Sequence, residues 1–179
     1  MLLPVPWKKM YHLGHLMCTM WYMPKPVTVT IDVPQHIEDV FEFLDVMANH
    51  ESFNDHLMRN WVLTGPERGI GARARVTTRA FGISDAVDIE VTDAVAPTRI
   101  VERNVAARAG RTGQGTYQLA PLPDGRTRIT FEYRWIVAPI IDRVTAPVAR
   151  AYIRRNNLTA MRRLAQQLEE LDRPDRSDV

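Results

Sequence analysis

Between Ala72 and Val137 apolar residues recur at every second position, and this period constrains the fold more than any other feature of the chain. Turn-forming stretches, FGISD, APT, ARAGRTG and LPDG, separate the alternating runs. Links this short join antiparallel neighbours. The clearest run is RTRITFEYRWIV, in which one face carries Ile129, Phe131, Tyr133, Trp135 and Val137. The pattern predicts an antiparallel sheet of six to seven strands, counting an earlier strand at Val27 to Val33.

The period becomes helical on either side of this sheet. VTVTIDV alternates as a half-buried strand, and the residues from Ile37 then show helical spacing, with a second short helix or turn after it. After Pro139 a helical pattern holds for about thirty residues, and Pro147 is expected to kink it or divide it. Its predicted inward stripe contains Ile141, Val144, Val148, Ala151, Leu158, Met161, Ala165 and Leu168. The long helix is the only element able to cover the sheet, which predicts an α+β fold.

Length and composition fit one ordinary domain without disulfides. The single cysteine, Cys18, cannot form an intrachain disulfide, so a cytoplasmic protein is expected. From Val27 onward 20 arginines face 21 acidic residues. This nearly neutral balance argues against nucleic-acid binding.

Residues 1–23 differ from the rest of the chain. They hold five of the eight methionines and no acidic residue, and the uncharged run from Met10 to Met23 is 14 residues long. That is shorter than the roughly 18 residues that span a bilayer, so no transmembrane segment is predicted. We interpret 1–23 as a leader or disordered extension, with peripheral membrane contact as the alternative. The expected domain is 24–171, followed by a polar tail at 172–179.

The stretch NHESFNDHLMRNW collects histidines and carboxylates, which raises the question of a metal site. His50 and His56 are six residues apart, so on a helix they point to roughly opposite sides. Zinc sites on helices use histidines four residues apart. We therefore predict no metal, and no cofactor either.

Several stretches together resemble the START-like helix-grip (SRPBCC) superfamily, in its polyketide cyclase/dehydrase and lipid transport branch. The stretches on which this resemblance rests are VTVTIDVPQHIEDVFEFL, GPERGIGARARV, GTYQLAPLPDGRTRITFEYRW and NNLTAMRRLAQQLEE. Members commonly have a tryptophan soon after the first helix, where this chain has Phe53, with Trp61 further on. The resemblance implies a curved sheet wrapped around the long C-terminal helix, with a ligand cavity between them.

In such a fold the NHESFNDHLMRNW stretch lies near one end of the cavity. Phe53 and Trp61 are expected to shape that end, with His50, Glu51 and Asp55 as a solvated rim. The residues expected to contact ligand are Phe53, Trp61, Val87, Ile89, Val91, Tyr117, Phe131, Tyr133, Trp135 and Val148.

The leading hypothesis is binding or carriage of a small hydrophobic ligand such as a lipid, a polyketide or a sterol-like molecule. The first alternative is a cofactor-independent polyketide cyclase or dehydratase that uses an inward acid with Tyr117 or Tyr133. Either Glu102 or Arg103 must face inward, and Asp85 and Asn104 are further possibilities. The second alternative is a protein-interaction module with a filled core.

Overall fold

The computed structural model describes residues 23–80 and 82–172. The predicted leader, apart from Met23, and the tail after Asp172 lie outside the described residues. The strands are β1 (Val27–Val33), β2 (Met58–Thr64), β3 (Arg73–Ala80), β4 (Ile83–Val95), β5 (Arg99–Ala106), β6 (Arg111–Pro121) and β7 (Thr127–Val137). The helices are α1 (Ile37–Asp45), a 3-10 turn (Met47–Asn49), α2 (His50–Asn54), α3 (Ile140–Val144) and α4 (Ala146–Leu171).

Within the described residues, seven strands form one antiparallel sheet in the order β1-β7-β6-β5-β4-β3-β2. The first strand pairs with the last, with Val27 opposite Tyr133 and Val33 opposite Thr127. Helices α1 and α2 carry the chain from the β1 edge to the β2 edge. The predicted α+β class, the curved antiparallel sheet and the long C-terminal helix are confirmed.

The C-terminal half of α4 packs on the sheet through Ala160, Met161, Leu164 and Leu168, all buried. The N-terminal half does not continue this face, and the predicted single stripe is wrong there: Val148 is 59% exposed. At 3.6 residues per turn, the 16 positions from Val148 to Leu164 amount to a rotation of about 160°, so the two side chains point in nearly opposite directions. Pro147 lies in the first turn of α4, which follows α3 as a separate helix, so the predicted division is confirmed.

A buried carboxylate fixes α3 to the sheet. Asp142 accepts hydrogen bonds from Arg111 Nε at 2.6 Å and Nη2 at 2.7 Å, and from Trp135 Nε1 at 2.9 Å. A bidentate contact of this kind is both strong and directional. It sets the start of the long helix against the ends of β6 and β7.

No helix in residues 23–80 or 82–172 is long and apolar enough to cross a membrane.

Candidate functional site

A cavity of about 160 Å³ lies between the sheet, α2 and α4. A volume of this size has room for roughly five water-sized groups at about 30 Å³ each. Its wall is contributed by β2 to β7 together with the inward face of α4. The lining residues are His50, Asn54, Leu57, Met58, Trp61, Thr78, Ala80, Val87, Ile89, Glu102, Asn104, Ala106, Arg111, Tyr117, Phe131, Tyr133, Tyr152, Ile153, Asn156, Asn157, Ala160 and Met161.

A buried ion pair lies in this wall. His50 Nδ1 is 3.0 Å from Glu102 Oε1, and both side chains are almost fully buried. The other ring nitrogen, Nε2, lies 2.7 Å from the carbonyl oxygen of Leu44. Both ring nitrogens therefore face oxygen atoms, an arrangement that favours the protonated imidazolium, with the Nδ1–Oε1 contact an ion pair rather than an aligned hydrogen bond.

The electrostatics of the pair agree with this assignment. Burial alone would lower the pKa of His50, but the Glu102 carboxylate and the Leu44 carbonyl outweigh it and raise that pKa above its ordinary value of 6.5. Glu102 Oε1 nevertheless has no well-aligned hydrogen bond within the described part of the chain. Oε1 can therefore accept a hydrogen bond from a ligand donor.

The raised pKa predicts how stability varies with pH. The folded state binds the His50 proton more tightly than the unfolded state, so this contribution is complete below the ordinary pKa of 6.5 and is lost as pH rises through the folded-state pKa. We expect the free energy of unfolding, measured by urea titration at a series of pH values, to fall over that window. In His50→Gln this component of the fall should be absent. An identical pH profile in the wild type and His50→Gln would contradict the assignment.

Two tyrosines line the same cavity, and Tyr117 packs beside the pair. Burial and the nearby Glu102 raise the pKa of Tyr117 well above its usual range, and burial raises the pKa of Tyr133 to about 12. Both phenols therefore remain protonated and can donate hydrogen bonds at neutral pH. The Tyr117 ring packs 4.6 Å from that of Phe131 and 5.8 Å from that of His50.

Glycine in β6 makes room for one of these phenols. A Cβ atom at Gly113 would lie 2.3 Å from the Tyr133 hydroxyl and 2.5 Å from the ring carbon that bears it. No side chain fits at that distance without moving the tyrosine. The glycine thus lets the Tyr133 ring lie flat against β6 at the cavity wall.

Most of the predicted ligand contacts are brought together here. Trp61, Val87, Ile89, Tyr117, Phe131 and Tyr133 all line the cavity. Phe53, Val91, Trp135 and Val148 are not among the lining residues. Phe53 and Val91 are buried in the main core, Trp135 belongs to a second cluster with Val27 and Ala138, and Val148 faces outward.

The open question of the inward acid is also resolved. Glu102 is 5% exposed on the cavity wall, whereas Arg103 is exposed. Asn104 lines the cavity as well. Asp85 instead accepts hydrogen bonds from the backbone N–H groups of Arg108 and Ala109.

His50 is a further site residue that the sequence prediction placed wrongly. It was expected on a solvated rim with Glu51 and Asp55, which are indeed exposed, but it is 2% exposed. A usable signal existed: His50 precedes the inward Phe53 by three positions, and residues three apart share a helix face.

No group of three or more potential metal ligands occurs among residues 23–80 and 82–172.

Comparison of the sequence with known protein families identifies the family of this chain. The family described as polyketide cyclase / dehydrase and lipid transport matches residues 25–169. A comparison with curated proteins found no match.

Three solved structures illustrate the shared fold. The Zhui aromatase/cyclase from Streptomyces sp. R1128 has a TM-score of 0.67 and 13% identity, over 83% of this chain and 96% of that one. A START superfamily protein from Mycobacterium smegmatis has a TM-score of 0.63 and 12% identity, over 82% and 98%. DynU16, a protein of the dynemicin biosynthetic locus, has a TM-score of 0.57 and 24% identity, over 80% of this chain and 47% of that one, so this chain spans about half of DynU16.

Similarity at these identities establishes the fold, and the family match covers most of the chain. The protein therefore belongs to the polyketide cyclase / dehydrase and lipid transport family, the branch that the sequence resemblance predicted.

Proposed function

We propose that the protein binds a small hydrophobic molecule that carries a hydroxyl or carbonyl group. The observation that supports this most directly is a pair of buried polar atoms on the cavity residues Asn104 (Oδ1) and Asn157 (Nδ2), which have no hydrogen-bond partner in the described part of the chain. Leaving such a group unpaired costs about 1–3 kcal/mol. A ligand with a donor and an acceptor would recover that energy.

The rest of the wall favours an apolar ligand body. Val87, Ile89, Phe131 and Met161 are buried hydrophobic residues that border the cavity, and Ile153 is half-buried there. Binding sites for small molecules combine such a lining with a few polar groups that orient the ligand. Sterols, lipids and polyketides share this chemistry, and the cavity volume favours the smaller of them.

The test is native mass spectrometry of gently purified protein, followed by organic extraction of any retained molecule. We expect a stoichiometric adduct in the wild type and its loss in Ala106→Phe, which fills the cavity from β5. The matched control is Ala120→Phe, because Ala120 is exposed on β6 and lies outside the cavity. A cooperative thermal unfolding transition in each variant would show that both variants fold.

A protein without an adduct, and without stabilisation after exposure to a lipid extract, would overturn the proposal. That result would favour a protein-interaction module. Equal retention in Ala106→Phe and the wild type would place the ligand elsewhere.

The buried Glu102 on the cavity wall supports a second candidate, a polyketide cyclase or dehydratase. General acid–base catalysis needs a protonatable group within reach of substrate in an apolar chamber. In this reading the Glu102 carboxylate removes a proton from a carbon next to a carbonyl. Tyr117 donates a hydrogen bond to the resulting enolate oxygen, and the His50 imidazolium orients the carboxylate.

Under this second candidate, Glu102→Gln should lower turnover of a synthetic poly-β-keto thioester by about 100-fold or more, because it removes the general base. Retention of the bound molecule should be unchanged, since glutamine has nearly the same shape. Glu132→Gln is the control, because Glu132 is paired with Arg134 outside the cavity. An unchanged rate in Glu102→Gln would remove this role from Glu102.

A further inference from the structure

The start of the C-terminal helical segment carries an apolar face that does not pack on the sheet. Ile141 is 62% exposed, Val144 64% and Val148 59%. The spacings of three and four residues place them on one side of a helix. Hydrogen bonds from Thr145 N to the Ile141 oxygen and from Ala149 N to the Thr145 oxygen continue the helical turns across the junction of α3 and α4.

Other exposed aliphatic residues extend this surface. Ile136 and Val137 at the end of β7 are 50% and 48% exposed, and Ile140 at the start of α3 is 59% exposed. Six large aliphatic side chains within thirteen residues thus face outward. We call them the aliphatic patch: Ile136, Val137, Ile140, Ile141, Val144 and Val148. Scattered exposed apolar residues are ordinary, but a concentration of this kind marks an interaction surface.

Arginines outnumber acidic residues in the chain segment that carries the aliphatic patch. Residues 133–168 contain seven arginines and a single acidic residue, Asp142. Asp142 is buried and bound to Arg111. Arg134 is paired with Glu132 and Arg163 with Asp55, whereas Arg154 and Arg155 are exposed. On the outward side of α4, Ala151 and Arg155 follow Val148 at steps of three and four residues, and both are exposed.

We propose that the aliphatic patch docks on the surface of a bilayer that contains anionic phospholipid. Its aliphatic side chains would enter the headgroup region, and Arg154 and Arg155 would lie near lipid phosphates. A helical face that joins aliphatic residues to an excess of arginine is typical of interfacial membrane binding. The excess of arginine favours an anionic lipid surface over a second copy of the chain, because two copies would bring like charges together.

This docking surface borders the cavity. Tyr152, Ile153 and Asn156 line the cavity from α4, the helix that carries Val148 on another side. Arg111, which also lines the cavity, is bound to Asp142 on α3. A docked protein therefore holds this end of the cavity beside the bilayer, although docking itself requires no ligand.

The test is flotation of the full chain with vesicles of phosphatidylglycerol and phosphatidylcholine in equal parts, and with vesicles of phosphatidylcholine alone. We expect binding to the anionic vesicles and a loss of about twentyfold or more in Val144→Asp/Val148→Asp, since each unit charge near an anionic surface changes binding about fivefold. Val62→Asp/Leu63→Asp is the matched control. Those residues are 58% and 48% exposed on β2, and this variant should bind as the wild type does.

Several outcomes would overturn the proposal. One is failure of the wild-type chain to bind anionic vesicles. Another is equal binding of both double variants to those vesicles. A truncation that removes residues 1–22 and abolishes binding, while Val144→Asp/Val148→Asp does not, would place the contact in the N-terminal segment. A wild-type dimer that becomes monomeric in Val144→Asp/Val148→Asp would identify the patch as an interface between copies.

Discussion

His50→Leu lowers the free energy of unfolding by about 3–5 kcal/mol, because it leaves the Glu102 carboxylate buried without its cation. Glu102 is 5% exposed, and in the described residues Oε1 has the ion pair with His50 but no hydrogen-bond partner. The substitution also leaves the Leu44 carbonyl without the ring nitrogen that lies 2.7 Å away. Urea unfolding at pH 6 or below, where His50 is charged, measures the full effect.

The double variant His50→Leu/Glu102→Leu separates loss of packing from loss of charge compensation. Two apolar residues of similar volume can replace a buried ion pair at little cost, so the double variant should be more stable than His50→Leu. His56→Leu is the control. His56 Nε2 makes one neutral hydrogen bond, to the Asn156 carbonyl oxygen at 3.2 Å, within the described residues, and the expected loss is about 1 kcal/mol. If the double variant were less stable than both single variants, the unpaired Glu102 carboxylate would not be the cause of the instability of His50→Leu.

The fold was predictable because single periods run through whole elements. Residues 127–135 alternate, although Val137, predicted on the inward face, is exposed beside Ile136, and short turns leave only antiparallel pairing for the strands. The helical period after Pro139 identified the covering helix. It did not identify the covering face, because apolar residues occur on two sides of α4. Only the packing on the sheet distinguishes Leu164 from Val148.

The site was predictable where large apolar residues lie on strands. Tyr117, Phe131 and Tyr133 follow from alternation alone. Alternation does not show which face of β5 points inward. Ile100 and Val101 are adjacent and both apolar, so the pattern fits with either one facing the core. The pairing of Glu102 with Val91 on β4 and with Gly115 on β6 decides it. The partnership of Glu102 with His50 joins residues 52 positions apart, and no local pattern reports such a contact.

Phe53→Ala is expected to lower the free energy of unfolding by about 3–5 kcal/mol, the usual cost of removing a buried aromatic side chain. Phe53 is fully buried, and its ring centroid lies 5.2 Å from that of His50 and 6.4 Å from that of Phe43. Phe53→Leu should cost less than about 1.5 kcal/mol, because it preserves most of the volume. Urea unfolding of both variants provides the comparison.

Trp61→Ala tests whether Trp61, rather than Phe53, contacts the ligand. Trp61 is half-buried and lines the cavity, whereas Phe53 lies in the core behind His50. Trp61→Ala should therefore reduce ligand retention with a smaller loss of stability than Phe53→Ala. Phe53→Leu should retain ligand, because it leaves the cavity wall in place. Loss of ligand in Phe53→Leu with unchanged stability would contradict this assignment and make Phe53 a ligand contact, as its place in the sequence had suggested.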